Sequence, residues 1–494
     1  MALPIQYAIP ELMKLSDLDS ALPEGTSSKV VRVTPSNLSS IVSPTYQTPA
    51  RNTMMPDSAF NSQNVQFDIP CLPGSWIDTR QSTISFRAVY TVTNVGNTAR
   101  VGFTPYLRGG AFSFFDGLQV LSPQGSVLES ISELGLVYNA LSLLTMSNSD
   151  RDGNALQYGF HASAGDNQVR GHDIPIFVAG ADIAALNSVT YSYSYPLLSS
   201  VIGTAASKAF PIGAIPKLQL LLQTTNILPI TLGTNDTAQA APATFTVTLT
   251  DIVLNLTYIT LPPQATQMIE SSLHDGKYFL QGNTWRVAAS TLSAGVTGFN
   301  SIIAGVRGSS VKSVLYSFQE LLVGRCPNGK YDSKNPIAQT IAFNANSIRY
   351  PQIPIESLLH PARVMTDLQR AVGSFNSPNL KVAALPEKFC RLSTGGTAQS
   401  LIGNPNTQDF YYTVQAAVVG AGDLTGQNCF YFGQDLEDVN SVGVLSGINL
   451  NSSQAFLELN IASAVTNAHT VYCMSCLDSI IIIDARTGQC DVRV

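Results

Sequence analysis

The sequence predicts an all-β chain built as two consecutive sandwich barrels. Three observations predict it. Apolar and polar residues alternate with period two in many stretches, which puts every second side chain on one buried face. Only two stretches, one in each half, carry the three-and-four spacing of a helix. The same order of parts then recurs in both halves of the chain.

Residues 1–60 read as an extended arm. Pro, Ser and Thr are frequent there, the apolar residues hold no sustained period, and Leu12, Leu15 and Leu18 suit a short amphipathic turn that docks on a neighbour. Strand signals begin with Val65, Phe67 and Ile69 and continue with Ile84, Phe86, Ala88, Tyr90 and Val92. Phe112 to Leu121 suggests a strand pair turning at Asp116-Gly117. Leu128, Ile131, Leu134, Val137, Leu141 and Leu144 recur every three or four residues, which predicts a helix within Gly125 to Met146. Val189, Tyr191, Tyr193 and Tyr195 return to strict alternation, and Leu218, Leu220 and Leu222 follow. In Phe245 to Tyr258 the alternation changes phase, so a bulge is expected near Asp251.

Pro262-Pro263 and the strand-poor residues after them mark a boundary. The expected division is an arm at 1–60, a first barrel at 61–262, a linker at 263–274 and a second barrel at 275–494. Strands are expected around Trp285-Arg286-Val287, Val311 to Phe318, Ile337 to Ile348, Phe410 to Val418, Cys429 to Phe432, Ala455 to Ile461 and Thr470 to Asp484. A second helical stretch, at 356–374, carries Leu358, Val364, Leu368 and Val372 on one side. The landmarks at Ile84, Leu128, Val189 and Phe245 match those at Lys312, Leu358, Phe410 and Thr470 with offsets of roughly 221 to 230 residues. About eight strands per half, packed as two sheets with few exposed edges, fit a jelly roll. The fold expected is therefore a double jelly roll, each barrel with a short helical excursion.

Composition narrows the function. Charged residues are 12% of the chain, about half the ~25% usual for soluble domains. A surface so poor in charge suits coverage by copies or partners. Net charge is −6 and no basic run occurs, so no direct contact with nucleic acid is expected. The N-terminus lacks a basic region, and Pro4 and Pro10 interrupt its apolar stretch; it reads as neither signal peptide nor membrane span. Ile480 to Ile483 is too short to cross a bilayer. A soluble protein made in a cytoplasm is expected. Seven cysteines, odd in number and mostly far apart, point to reduced thiols and not to a disulfide framework.

No constellation for catalysis stands out, and no catalytic, cofactor-binding or metal-binding residue is assigned. The five histidines (His161, His172, His274, His360 and His469) show no HxH, HxxxH or HExxH spacing, so the His/Glu cluster of a metalloenzyme is missing. Cys473 and Cys476 form a lone CxxC, but within an expected strand residues three apart face opposite sides. They read as buried apolar thiols. Asn148 to Gly153 imitates the first half of a calcium loop, yet Gly159 stands where the closing Glu belongs; a solvated loop is expected, with calcium between subunits as the alternative. Gly420-Ala421-Gly422 with Gly426 has the wrong spacing for a dinucleotide loop. Neither a phosphate-binding loop of the Walker type nor a nucleophile elbow occurs. Trp76 and Trp285, near the start of each half, are expected as core anchors, with contacts between assembled copies as the alternative.

Three stretches carry a family resemblance. Ser310-Val311-Lys312-Ser313-Val314-Leu315 with Asn335-Pro336 resembles the opening of the second barrel in double jelly-roll major capsid proteins. Ser446-Gly447-Ile448-Asn449-Leu450 before Phe456-Leu457-Glu458-Leu459 resembles their late strands, and so does Leu477-Asp478-Ser479-Ile480-Ile481-Ile482-Ile483-Asp484. The nearest group is that of polinton-like viruses and virophages, within the adenovirus and tectivirus lineage of DNA viruses. The resemblance covers nearly the whole chain in layout but only these stretches in residues; 1–60 and 386–428 match nothing.

It implies a structural protein and not an enzyme. Its homotrimers would form pseudo-hexagonal capsomers of an icosahedral virion shell, touching neighbouring capsomers and penton or minor capsid proteins. An internal membrane or inner layer would lie near the N-terminal arm. The strand-poor stretches 147–188, 197–216 and 386–428 would supply tower or intersubunit loops. The other readings are a secreted carbohydrate-binding or adhesin-like tandem β-sandwich, which calls for a secretion signal and exposed aromatics, and a tandem jelly-roll hydrolase, which needs a carboxylate pair.

Overall fold

Alternating side chains sort themselves between a dry interior and a covered or wet exterior, and the strands of this chain do so twice over. The structure, a computed structural model, describes residues 25–47, 59–93, 101–107, 109–159, 161–162, 169–170, 176–178, 188–206, 209–233, 244–321, 331–375, 382–384, 389–390, 392–393, 429–437, 446–451 and 454–493. The principal strands of the first half are β1 (Ser27–Val33), β2 (Asn64–Ile69), β3 (Ser75–Thr93), β4 (Phe115–Leu121), β5 (Val127–Ser132), β6 (Ser188–Pro196), β7 (Leu218–Thr224) and β8 (Thr244–Thr260). Helix α1 (Leu134–Thr145) follows β5, and helix α2 (Pro263–Ser272) follows β8 with Pro in its first turn, where a missing N–H costs nothing. The second half carries β9 (Lys277–Leu292), β10 (Gly298–Ile303), β11 (Val311–Glu320), β12 (Ala338–Ala345) and β13 (Ile348–Glu356). Helix α3 (Pro361–Ala371) comes next, then β14 (Tyr431–Asp435), β15 (Ala455–Ile461), β16 (His469–Asp484) and β17 (Cys490–Arg493).

Pairing repeats strand for strand. The first half makes one sheet in the order β1-β8-β3-β6 and another in the order β2-β7-β4-β5. The second half makes β9-β16-β11-β14, with β17 on the edge of β16, and β10-β15-β12-β13. Counted from the start of each half, both orders are first-eighth-third-sixth and second-seventh-fourth-fifth. Two four-stranded antiparallel sheets wound in this way are a jelly roll. A small sheet of Ile176–Val178, Val101–Leu107 and Ile230–Gly233 lies outside the first barrel's two sheets.

The inner faces form the core. Phe86 meets Phe114, Phe115, Tyr193 and Tyr195 at ring-centroid distances of 5.5 to 6.3 Å, an aromatic cluster that favours edge-to-face geometry. In the second barrel Tyr316 of β11 faces Phe343 of β12 across the sandwich at 6.2 Å and lies beside Phe432 of β14 at 6.1 Å. The bulge expected at Asp251 is present: the β8–β3 register shifts between Thr250 and Val253, and Asp251 takes a left-handed φ of 50°. Strands β12 and β13 are joined by Asn346 and Ser347, both at positive φ, the requirement of a tight two-residue hairpin.

Several expectations are corrected. Residues 27–47 are no free arm: β1, Ser40–Val42 and Tyr46–Gln47 all pair with β8. No turn lies at Asp116-Gly117, where β4 runs on after a 3-10 turn at Ala111–Phe114. The predicted helix in Gly125 to Met146 is a strand followed by a helix, switching at Glu133, which adopts φ 52°. The second helical stretch is shorter than 356–374; α3 starts at Pro361 and buries Val364 and Leu368. The counterpart of β6 is β14, at Tyr431, whereas Phe410 to Val418 lies outside the described residues. No helix among the described residues is long and apolar enough to cross a membrane.

Candidate functional site

The predicted chemical motifs resolve first. Cys473 and Cys476 lie on β16 as free, buried thiols, and burial pushes each up to about 12. Cys473 shares the inner side with Tyr316, its register partner, and Cys476 lies on the other side, as strand spacing requires. The stretch Asn148–Gly153 is a short helix and not a loop. The Asp150 carboxylate caps it, accepting from the Ser147 N–H and hydroxyl at 3.0 and 2.6 Å, so that side chain is engaged with its own helix start. His274 and His360 are exposed beside Asp275 and Glu356. His469 is fully buried and shares a hydrogen bond with Ser393. Among the described residues no group of three His, Cys, Asp or Glu side chains is placed to hold a metal. Cys326, His172 and the Gly420 stretch lie outside the described residues.

What the fold does bring together is the contact between the barrels. Strand β5, helix α1 and residues 197–206 of the first barrel meet β9 and its neighbours in the second. Glu129 of β5 is buried and accepts from the Ser200 N–H at 2.8 and 3.0 Å, from the Ser199 hydroxyl, and from the Thr284 hydroxyl of β9 at 3.0 Å. Burial raises its pKa above the ordinary carboxylate value against these donors. Gly282 of β9 bridges Ala206, and a Cβ there would lie 2.7 Å from the Ser200 carbonyl; only glycine permits that approach. Tyr331 fits against Gly109 and Gly135, and the Asn139 amide donates to the Tyr431 hydroxyl at 3.3 Å. Trp76 packs edge-on against Tyr278 at 5.4 Å, so it anchors this junction. Residues 197–206, expected as part of a tower or intersubunit loop, contact the chain's own second barrel.

The two stretches that carry the resemblance in the second barrel are also neighbours. The Val311 N–H donates to the Ile448 carbonyl at 2.9 Å, and the Ile448 N–H returns a bond to the Val311 carbonyl at 3.1 Å. Beneath them the buried Asp478 carboxylate accepts from the Ser310 hydroxyl at 2.6 Å and the Ser446 N–H at 2.9 Å. Buried carboxylates persist when hydrogen-bonded in this way.

The outward faces of the equivalent sheets differ. On β9-β16-β11-β14 the outward residues Trp285, Met474, Leu315 and Tyr431 are all buried. Helix α3 covers part of this face, with Leu368 against Gly433, and α1 reaches another part through Asn139. On β1-β8-β3-β6 the outward residues Val30, Thr83, Ser85, Arg87, Val89, Thr190, Ser192, Ser194, Thr246 and Thr248 are exposed or half-buried, whereas Trp76, Asp78, Thr257 and Ile259 on the same face are buried. Hydroxyls and amides bond along it: Ser85 to Ser194 at 2.9 Å, and Asn255 to Ser85 at 3.0 Å. Arg87 and Asp251 pair in the open at 3.0 Å. Sequence reading found the strands but neither this face nor Glu129, since each depends on partners distant in the chain.

No protein-family model and no curated protein matches the sequence. Among solved structures, the Faustovirus major capsid protein is similar with a TM-score of 0.50 at 7% identity, over 94% of this chain and 94% of that one. Also similar are the mavirus major capsid protein (TM-score 0.48, 10% identity, 100% and 95% covered) and the protein VP54 of PBCV-1 fitted into a reconstruction of the virophage Sputnik (TM-score 0.49, 10% identity, 96% and 98% covered). The strand order gives the chain a double jelly-roll fold, in keeping with its likeness to the Faustovirus major capsid protein. At such identities the likeness establishes fold, and function follows from the surfaces.

Proposed function

We propose that this chain is the major capsid protein of an icosahedral virus and that its activity is to enclose. Three copies associate into a pseudo-hexagonal capsomer, and capsomers tile a shell, meeting penton or minor capsid proteins at its special positions. The supporting observation is the strand order, repeated in full in one chain and held as one block by a buried junction. Stiff paired barrels of this kind set the outline of a building unit. Low charge and a broad hydroxyl-lined face suit surfaces that other molecules cover. The division of the chain falls at Pro262, with α2 as the linker, and the first barrel recruits residues 27–47. The protein acts in the virion after synthesis in the host cytoplasm, holds no cofactor, carries out no catalysis and leaves nucleic acid untouched. The inner layer or membrane meets the N-terminal residues.

Negative-stain microscopy of the purified full chain tests this reading. Trimers that assemble into hexagonal arrays or closed shells are expected. A stable monomer that binds sugars would overturn it in favour of an adhesin-like protein.

A further inference from the structure

One edge of the junction is a turn of the second barrel that rests on the first. After β16 the chain reverses through residues 485–489 into β17. The Asp484 carboxylate accepts from the N–H groups of Arg486 and Thr487 at 2.9 and 3.3 Å, and the Gly488 N–H donates to the Asp484 carbonyl at 2.8 Å. Gly488, at φ 68°, lies against the first barrel: a Cβ there would sit 2.7 Å from Pro216 Cδ. Cys490, the first residue of β17, follows shortly after Gly488, and Leu218, the first of β7, shortly after Pro216. Leu218 pairs with Ile69, and its backbone holds the Cys71 thiol, which donates to the Ile69 carbonyl at 3.5 Å. The Tyr258 hydroxyl fixes the adjoining Pro70 carbonyl at 2.7 Å. The contact of Gly488 with Pro216 therefore brings together two thiols from different barrels. Their acidity registers it: burial first, and then the neighbouring Cys71, push Cys490 up to about 12, while burial pushes Cys71 up to about 11.

We propose that Cys71 and Cys490 form a thiol–disulfide switch, which bonds the two barrels covalently under oxidising conditions and frees them under reducing ones. Both thiols are free and within reach of a small reagent. Cys71 is half-buried, and Cys490 borders a cleft of about 430 Å³ between Gln124 and Ser126 of the first barrel and Lys277 and Arg493 of the second. A small-molecule disulfide such as oxidised glutathione suits this cleft: the two cations match its carboxylates, and Asp484 and Asp491 match its ammonium groups. The Cys71 thiolate attacks one glutathione sulfur, so the glutathione disulfide breaks, a mixed disulfide forms and one glutathione thiolate leaves. Cys490, its proton lost to water, then attacks Cys71 Sγ and releases the second glutathione. Two electrons pass from the protein thiols to glutathione, and the two leaving thiolates take up the two protons. Strand β17 pairs with β16 alone among the described residues, so this short edge strand can shift to bring the Cβ atoms to the ~3.5–4.5 Å a disulfide needs. The raised pKa values make the exchange slow near neutrality and faster in mild alkali. On the capsid reading, the junction stays adjustable while the subunit is made and assembled in a reducing cytoplasm, and is fixed once the particle leaves it.

Mass spectrometry of the full chain, purified reduced and then incubated with oxidised glutathione at about pH 8, tests the switch. The intact mass should fall by about 2 Da, the two thiol hydrogens. Non-reducing peptide maps should show Cys71 linked to Cys490, and dithiothreitol should undo both changes. The linked chain should melt at a higher temperature than the reduced one, since the bond joins residues far apart in sequence. Cys71→Ser and Cys490→Ser should each abolish the link and the rise in melting temperature, with reduced-state melts matching the wild type; a variant that fails this check is replaced by Cys71→Ala or Cys490→Ala. An unchanged intact mass, a lasting glutathione adduct on Cys71 without the linked peptide, or a link between other cysteines overturns the switch. Each of those results leaves the capsid reading in place, because that reading stands or falls on assembly.

Discussion

The two barrels of this protein share a strand order and differ in what they show to their surroundings. In the second, the outward residues Leu315, Tyr431, Met474 and Trp285 of the β9-β16-β11-β14 sheet are buried, with α3 and parts of the first barrel covering some of this face. In the first, the matching face carries Thr, Ser and one exposed ion pair. The interiors differ as well: aromatic rings crowd around Phe86, whereas Tyr316 has Phe343 and Phe432 for ring neighbours. Topology thus depends on keeping the inward phase of each strand apolar. The outward phase is left to decide what the barrel touches.

Substitutions that strike each side of this comparison should differ in size. The largest effect is expected inside the first barrel. Phe86→Ala removes the ring at the centre of its cluster and should destabilise by about 3–5 kcal/mol, seen as a fall in the thermal midpoint. Next is the junction: Glu129→Ala strands three buried donors, at a cost of about 1–3 kcal/mol for each one left unsatisfied, partly relieved by any water that enters. Since burial raises the Glu129 pKa, its stabilising contribution is complete below the ordinary value of 4.5 and is lost as pH rises toward the raised folded-state value. Glu129→Gln should flatten that decline in urea-unfolding series across pH.

His469, within the second barrel, titrates in the opposite sense. Burial lowers its pKa from 6.5 to about 4, against the pull of Glu320, which Lys334 and Asn467 also engage. Its contribution is complete above pH 6.5 and is lost as pH falls toward 4, at roughly 3 kcal/mol in all. His469→Gln should remove this acid-side step and leave the Glu129 step in place; equal loss of both would show that the barrels do not melt as distinct regions. The smallest effect is expected on the open face. Arg87→Ala breaks a pair whose members are 58% and 62% exposed, so the isolated chain should change by less than about 1 kcal/mol.

How far the sequence reveals this molecule follows from which side chains are half-buried. Strands β3, β6, β7 and β8 have one wet or weakly covered face, so period two is plain in Tyr191, Tyr193 and Tyr195 and in Leu218, Leu220 and Leu222. Strand β5 is buried on both sides at Leu128 and Glu129 and runs directly into α1, so its apolar residues mimic helical spacing. Strand β1 is nearly all exposed and shows no phase. Residues of the junction are legible only in space: Glu129 meets Ser199 across 70 positions and Thr284 across 155.

The most direct measurement is single-particle electron microscopy of the purified full chain, with the particle's rotational symmetry analysed without imposing any. Six barrel-sized densities of two alternating kinds around a threefold axis are expected. A particle containing only an isolated pair of barrels would contradict the capsid reading.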